Sequence, residues 1–274
     1  MLTHRIASKG RPMQEEVART AEVLCESRLN LALTGAGISV ESGIPDFRSP
    51  GGLWERYDIV EYATIDAFRV NPTKVWDMLR EVSDVVKKAR PNAAHKGLGR
   101  LQQLGLLHTI ITQNVDNLHQ QGGATRVIEY HGTSRTLSCL WCGCRYDMKE
   151  LGEEIPPKCT CGKILKPDVI FFGEPIPGEA LKESYGLAAA CRALLVVGTS
   201  AEVAPANTIP YTAKMAGAKV IEINLEPTML TETVTDIFLQ GKASEVITRL
   251  VKEVETRMEK SKKRRAGYKG TNSH

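Results

Sequence analysis

An α/β protein with a buried parallel sheet is the fold class this sequence predicts, and three observations predict it. Residues 29–33, 106–112, 193–200 and 218–224 are short apolar runs without polar alternation, as strands covered on both faces are. Aromatic residues make up only 5% of the chain, so the sheet-forming load falls on Val, Ile and Leu. At 274 residues the chain exceeds the usual single core, which favours one large domain with a smaller satellite.

In chain order, residues 12–27 place Val17, Ala21, Leu24 and Cys25 on one face of an amphipathic helix, and Cys25 is read as part of the core. The run at Leu29, Leu31, Ala32 and Leu33 predicts the first buried strand. Gly35 and Gly37 follow it, turning the backbone tightly and exposing N–H groups at a helix start, as a nucleotide phosphate requires. An ordinary strand–turn–helix corner has the same signature. The dinucleotide fingerprint is also incomplete, since Val40 stands at its third glycine. A polar loop with Asp46, Phe47 and Arg48 comes next, then a stretch of mixed signals, then a helix from Pro72 with Val75, Met78, Leu79, Val82 and Val86 along one stripe. A second helix carries Ala94, Leu98 and Leu101 and ends at Gly105.

The strand at 106–112 runs into Thr112, Gln113, Asn114, Val115, Asp116, Asn117, Leu118 and His119, a cluster of amides with a carboxylate. Residues 127–133 predict a short strand ending at His131. The later strands end at Gly198, Thr199 and Ser200 and at Asn224. Ligands of open α/β sheets gather at the carboxyl ends of strands, so these polar ends point to a shared binding crevice. The last helix uses Val246, Ile247, Leu250, Val251 and Val254.

Between His131 and the later strands, Cys139 and Cys142 form one close pair and Cys159 and Cys161 another. Four thiolates at this spacing suit a tetrahedral structural Zn2+ in a polar, turn-rich segment with little core of its own. Cys144 competes with Cys142 as a ligand on spacing alone. A closed site of four cysteines leaves no open position for chemistry.

The formal charge of +4 belongs to the end of the chain. Residues 260–274 hold six Lys or Arg and no acid, which leaves 30 basic against 32 acidic residues elsewhere. A solvated, disordered tail is expected there, and contact with nucleic acid is expected nowhere else. No run approaches a membrane span and the first 24 residues lack a secretory apolar centre, so no membrane partner and a cytoplasmic location are expected.

The ordered set GAGIS, SGIPDFR, TQNVDNLH, the HG at His131, the paired cysteines, KPDVIFFGE, GTS and IN resembles the sirtuin family of NAD-dependent protein lysine deacylases, over about residues 12–255. The resemblance implies a Rossmann-like parallel sheet in a large NAD-binding domain (1–50, 93–135 and 167–259). It also implies a small domain made of a helical module (51–92) and a zinc-ribbon module (136–166), with a basic tail at 260–274. It implies that Gly35, Ala36, Gly37, Asp46, Phe47, Arg48, Gln113, Asn114, Asp116, His131, Gly198, Thr199, Ser200, Asn224, Lys242 and Ala243 contact NAD. His131, Asn114 and Asp116 would be catalytic, with His131 the base that activates a ribose hydroxyl. An acetyl-lysine peptide would lie beside Ile170, Phe172, Gly173 and Glu174 as an added strand.

Relatives that remove acidic acyl groups carry Tyr-x-x-Arg where this chain has Leu79 and Val82, so a neutral acyl group is expected. Asn117 stands where glycine is frequent, and Tyr130 where leucine is. Asn114 and Asp116 also suit helix capping. His95 is read as a packing or helix hydrogen-bonding residue and His119 as a support behind the pocket. Two other functions remain open on sequence: ADP-ribosyl transfer to protein from the same pocket, and a non-catalytic, NAD-sensing zinc adaptor.

Overall fold

The computed structural model describes residues 12–46, 52–152 and 154–269. Along the chain, nine strands among the described residues are β1 (Asn30–Thr34), β2 (Thr109–Thr112), β3 (Val127–Glu129), β4 (Gly132–Ser138), β5 (Arg145–Asp147), β6 (Lys166–Val169), β7 (Ala193–Val197), β8 (Lys219–Asn224) and β9 (Ile237–Gln240). They form two sheets, one parallel in the order β3-β2-β1-β7-β8-β9 and one antiparallel in the order β5-β4-β6.

Every residue of β1, β2 and β7 is buried, because helices cover both faces. Helices Met13–Glu26, Ala93–Gln103 and Ala243–Lys269 pack on one face around Leu24, Leu98, Ile110, Ile247 and Leu250. Gly178–Ala190 and Ile209–Met215 cover the other, around Leu194, Val196, Ala188 and Ile209. Cys25 departs from its expected core position. It is exposed, one helical step beyond the buried Val17–Ala21–Leu24 stripe, whereas Cys191 is the buried free cysteine on this sheet.

The mixed signals after residue 52 are three short helical turns, Leu53–Arg56, Ile59–Tyr62 and Ile65–Val70; side-chain caps start the second, the third and the long helix after them. Asp58 accepts from the amides of Val60 and Glu61, Thr64 from Ala67, and Asn71 from Lys74 with Pro72 at the first helical position. The helix Pro72–Lys88 that follows packs on the antiparallel sheet. Trp76 donates its indole N–H to Leu165 O at 2.8 Å and shares a small core with Phe68, Leu137, Cys139, Cys159 and Phe171. From Lys260 the chain, expected to be disordered, stays helical as far as Lys269. Lysine and arginine are good helix formers and sit well at the negative end of the helix dipole.

Candidate functional site

The four polar strand ends seen in the sequence belong to β3 and β2 on one side of β1 and to β7 and β8 on the other. After β1 the sheet is extended on one side by β2 and β3 and on the other by β7, so the β1–β7 seam is the switch point at which such sheets open a crevice.

Gly35 and Gly37 work differently from the sequence expectation. Their amides do not face outward; they bond Val197 O at 3.2 Å and Gly198 O at 2.8 Å. The chain then enters two 3-10 turns, Ala36–Ile38 and Val40–Ser42, and no long helix starts there. The glycines serve the close approach of two loops. A Cβ on Gly37 would lie 2.9 Å from Gly198 Cα, and one on Gly198, at φ 59°, would lie 2.3 Å from Ile38 N.

Behind this seam lies a buried polar network. Ser39 donates its hydroxyl to Asp116 Oδ2 at 2.7 Å and accepts from Asn114 Nδ2 at 3.1 Å. Asn114 Nδ2 also reaches Gly35 O at 3.1 Å, and Asp116 Oδ1 accepts the Leu118 amide at 2.9 Å. His95 Nδ1 accepts the Asn92 amide at 3.3 Å, so its Nε2 carries the proton toward Ser39 Oγ, 3.4 Å away. His119 Nε2 meets Thr34 Oγ1 at 2.8 Å, and Thr34 donates its hydroxyl to Thr112 Oγ1 at 2.9 Å. Burial drives His95 down to about 4 against the pull of Asp116. It drives His119 to about 3, with His95 adding to the effect. Both rings are neutral supports: His95 backs Ser39, which holds Asn114 and Asp116, and His119 backs Thr34 at the end of β1.

His131 lies where the two sheets join. Tyr130 N–H bonds Thr112 O of the parallel sheet at 2.8 Å, and His131 O accepts from Ile170 beside the antiparallel sheet at 2.9 Å. His131 Nδ1 donates to Gln113 O at 3.1 Å, which leaves Nε2 as the basic nitrogen of the neutral ring. Burial lowers its pKa from the ordinary histidine range, while the bond to Gln113 opposes the shift. The ring is therefore in its basic form at neutral pH.

Gln113 also bonds Thr199 Oγ1 at 3.0 Å, and Asn224 bonds Thr199 O at 2.8 Å, which ties the ends of β2, β7 and β8 together. Ser200 is exposed beside them. Most of these groups are neutral donors and acceptors, and the one carboxylate, Asp116, is anchored. That set fits the hydroxyls and carboxamide of NAD better than a free ion. Ala243 opens the last helix, where Glu41 accepts from the Ser244 amide at 3.1 Å and its hydroxyl at 2.6 Å; Lys242 just before it is exposed. Asp46 is half-buried, while Phe47 and Arg48 lie outside the described residues.

Of the peptide residues, Ile170 and Phe172 flank the end of β6, with Phe172 exposed and Gly173 at φ 87°. Glu174 is engaged internally. Its carboxylate pairs with buried Lys166 at 2.8 Å and accepts the Phe171 amide at 2.8 Å.

The cysteine sulfurs of Cys139, Cys142, Cys159 and Cys161 all lie within 4.8 Å of one another, with Cys139–Cys161 at 3.5 Å and Cys142–Cys159 at 3.4 Å. Tetrahedral zinc with Zn–S bonds of about 2.3 Å sets its sulfurs roughly 3.8 Å apart, so the residues fit the metal. Cys144 stands outside this set; its carbonyl, not its thiol, closes the turn by accepting the Cys139 amide at 2.9 Å.

Sequence reasoning missed Ser39, Glu41 and Lys166, and took His95 no further than packing or helix hydrogen bonding. Asn92 and His95 form a capping box legible from their spacing. Ser39 lies within a motif already noticed, but its role needs residue 116 brought beside it.

The family model described as Sir2 family matches residues 35–205. Similar relatives include the NAD-dependent protein deacylase 2 of Pyrobaculum aerophilum, 48% identical over 239 residues that cover 87% of this chain and 96% of the relative. The NAD-dependent protein deacylase of Thermococcus kodakarensis is 44% identical over 246 residues, covering 87% and 95%. Among solved structures, a Sir2 homolog–NAD complex is similar at TM-score 0.84 and 39% identity, covering 93% of this chain and 97% of that one. Sir2Af2 bound to a myristoylated histone peptide is similar at TM-score 0.78 and 38% identity, covering 90% and 99%. A Sir2 chain with deacetylated p53 peptide and 3'-O-acetyl ADP ribose is similar at TM-score 0.81 and 34% identity, covering 86% and 97%.

Proposed function

The chain belongs to the Sir2 family and is an NAD-dependent protein deacylase, and we propose that it removes neutral acyl groups, acetyl foremost, from lysines of protein or peptide substrates. The observation that carries the residue assignment is the convergence of the polar ends of β2, β7 and β8 beside His131, whose Nε2 is left basic by the bond from Nδ1 to Gln113.

In this reading residues 1–50, 93–135 and 167–259 form the NAD-binding domain, and 51–92 and 136–166 the two modules of the small domain. When bound, NAD supplies an anomeric carbon made electrophilic by its cationic nicotinamide leaving group and carries the acyl group away as O-acetyl-ADP-ribose. Asn114 and Asp116, fixed by Ser39, hold the nicotinamide side. Gly35, Ala36, Gly37, Gly198, Thr199 and Ser200 line the phosphate side, and Asn224, Lys242 and Ala243 the adenosine side. His131 Nε2 takes a proton from a ribose hydroxyl. Asp46, Phe47 and Arg48 are assigned the task of keeping water from the reacting carbon. Ile170, Phe172 and Gly173 border the peptide, and Glu174 shapes that border through Lys166. Zinc holds the antiparallel sheet and takes no part in the chemistry.

Leu79 is half-buried against the Trp76–Phe171 core and Val82 lies one turn on. A carboxylate brought to this apolar face would be desolvated without a cation to compensate it. The myristoylated peptide bound by Sir2Af2 supports extending the neutral preference to longer chains.

The test incubates NAD and matched acetyl- and succinyl-lysine peptides with wild type and His131→Ala, following nicotinamide release and acyl loss. Acetyl loss falls on the order of 10²- to 10⁴-fold in the variant. Equal turnover by both proteins removes His131 from the mechanism, and succinyl loss as fast as acetyl loss removes the neutral preference.

A further inference from the structure

The loop that follows β2 is fastened to the His131 segment in an alternating manner. Gln113 O accepts from His131 Nδ1 at 3.1 Å, and Val115 O accepts from Ser134 Oγ at 2.9 Å. Asn117 Oδ1 accepts from Arg135 Nη1. Between them, Asn114 and Asp116 turn the other way and bond Ser39. Odd-numbered residues thus grip the histidine segment while even-numbered ones build the cofactor side, as the period of an extended chain allows.

Asn117 is the outermost of these three fastenings. Its backbone is left-handed, at φ 61°, a conformation asparagine tolerates better than most residues but glycine adopts more readily. Its side chain makes no cap for the helix Leu118–Gln121 that it precedes; it is turned to Arg135 on β4. Arg135 uses both arms of its fork, the second reaching Glu129 Oε2 at 2.5 Å. Glu129 ends β3, and its other oxygen accepts from Gln120 Nε2 at 3.2 Å. Contacts running from Asn117 through Arg135 and Glu129 to Gln120 therefore link the loop, β4, β3 and the short helix beside the segment that carries His131.

We propose that Asn117 and Arg135 are positioning residues that set the separation between His131 and the Asn114–Asp116 face of the crevice, acting on the reaction without touching NAD or the acyl group. The inference rests on the reading of that crevice as the NAD site. Arg135 is 41% exposed in its side chain, so its ion pair with Glu129 adds little to overall stability. Its effect is on geometry: the guanidinium holds two acceptors twelve residues apart in sequence, which a lysine ammonium cannot do in one plane.

Asn117→Gly separates positioning from folding, because glycine removes the carboxamide while relieving the left-handed backbone. Steady-state kinetics of Asn117→Gly, Arg135→Met and Arg135→Lys on the acetyl-lysine peptide are compared with wild type, together with thermal midpoint and zinc content. In Asn117→Gly, midpoint and zinc content are retained while kcat/KM for NAD falls on the order of tenfold, as for a displacement well under 1 Å at a reacting pair. Arg135→Met falls at least as far, and Arg135→Lys recovers part of the loss. Constants within twofold of wild type in both Asn117→Gly and Arg135→Met overturn the proposal. So does a loss of activity that only parallels a loss of midpoint or zinc. If wild type itself removes no acetyl group, the activity reading fails separately, and amide exchange over residues 113–121 decides the clamp: faster exchange in Asn117→Gly and Arg135→Met supports it, and unchanged exchange overturns it.

Discussion

Strands β1, β2 and β7 are buried throughout, and the buried polar residues just after β2 each have two partners: Asn114 bonds Gly35 and Ser39, and Asp116 bonds Ser39 and Leu118. In the antiparallel sheet, β4 is half-exposed along most of its length, and the core beneath it includes two of the four clustered cysteines. The parallel sheet therefore holds its site through many small, overlapping contributions, whereas the antiparallel sheet depends on one centre. Losses should be graded in the first region and abrupt in the second. His131, bonded to both, is exposed to failure in either.

The largest effect is expected from Cys159→Ser. Structural zinc in small modules is worth on the order of 10 kcal/mol or more of folding free energy, so removing one thiolate releases the metal and frees residues 136–166. Ile170 then no longer holds the His131 carbonyl, and deacylation drops more than about 100-fold. Metal content, activity and amide exchange measured together check this. Exchange should accelerate in β4 to β6 and stay slow in β1 and β7; unfolding of both sheets at once would break the contrast, and full retention of metal would contradict the ligand set.

The same contrast explains what could be read from the sequence. Apolar runs identify β1, β2, β7 and β8, because strands buried on both faces leave a local signature. The strand β9, Ile237–Gln240, has only Ile237, Phe238 and Leu239 in an apolar row, with polar residues on either side, so no longer apolar run marks it. The helix Gly178–Ala190 is rich in Ala and Gly and shows little amphipathic contrast. That the polar strand ends converge was legible, but their adjacency depends on strand order, which local sequence does not encode. Gly35 and Gly37 were located correctly, but their amides are not exposed as expected, since the carbonyls that accept them, at and just after the end of β7, are about 160 residues further on. Lys166 and Glu174 are only eight residues apart, yet their pairing depends on the turn after β6.

A medium effect sharpens the description of the parallel sheet. His95 and His119 are held neutral with pKa values of about 4 and about 3, below the ordinary value near 6.5. A depressed folded-state value contributes stability that is fully present above the unfolded pKa and is lost as pH falls toward the folded one. Between pH 7 and 5 the unfolded chain gains protons at these two positions that the folded chain does not, costing on the order of 4 kcal/mol for the pair. Denaturant midpoints across that range, at constant zinc, should fall smoothly. A flat profile would mean that the two rings are not buried in neutral form.

The smallest effect concerns Cys144, and it tests how narrowly the second region depends on its four thiols. Cys139, Cys142 and Cys144 occupy one turn, but only the first two belong to the sulfur cluster; Cys144 contributes its carbonyl to the Cys139 amide at 2.9 Å. A backbone carbonyl survives substitution of the side chain, so Cys144→Ser preserves the turn that aims Cys139 at the metal. Zinc content then stays at one per chain and activity stays within about twofold, since substitutions away from buried contacts usually change stability by less than about 0.5 kcal/mol. Cys142→Ser, two residues away in the same exposed turn, should lose the metal as Cys159→Ser does. Loss of zinc in Cys144→Ser would place its thiol among the ligands, while retention in both variants would mean that this turn does not bind the metal through its side chains.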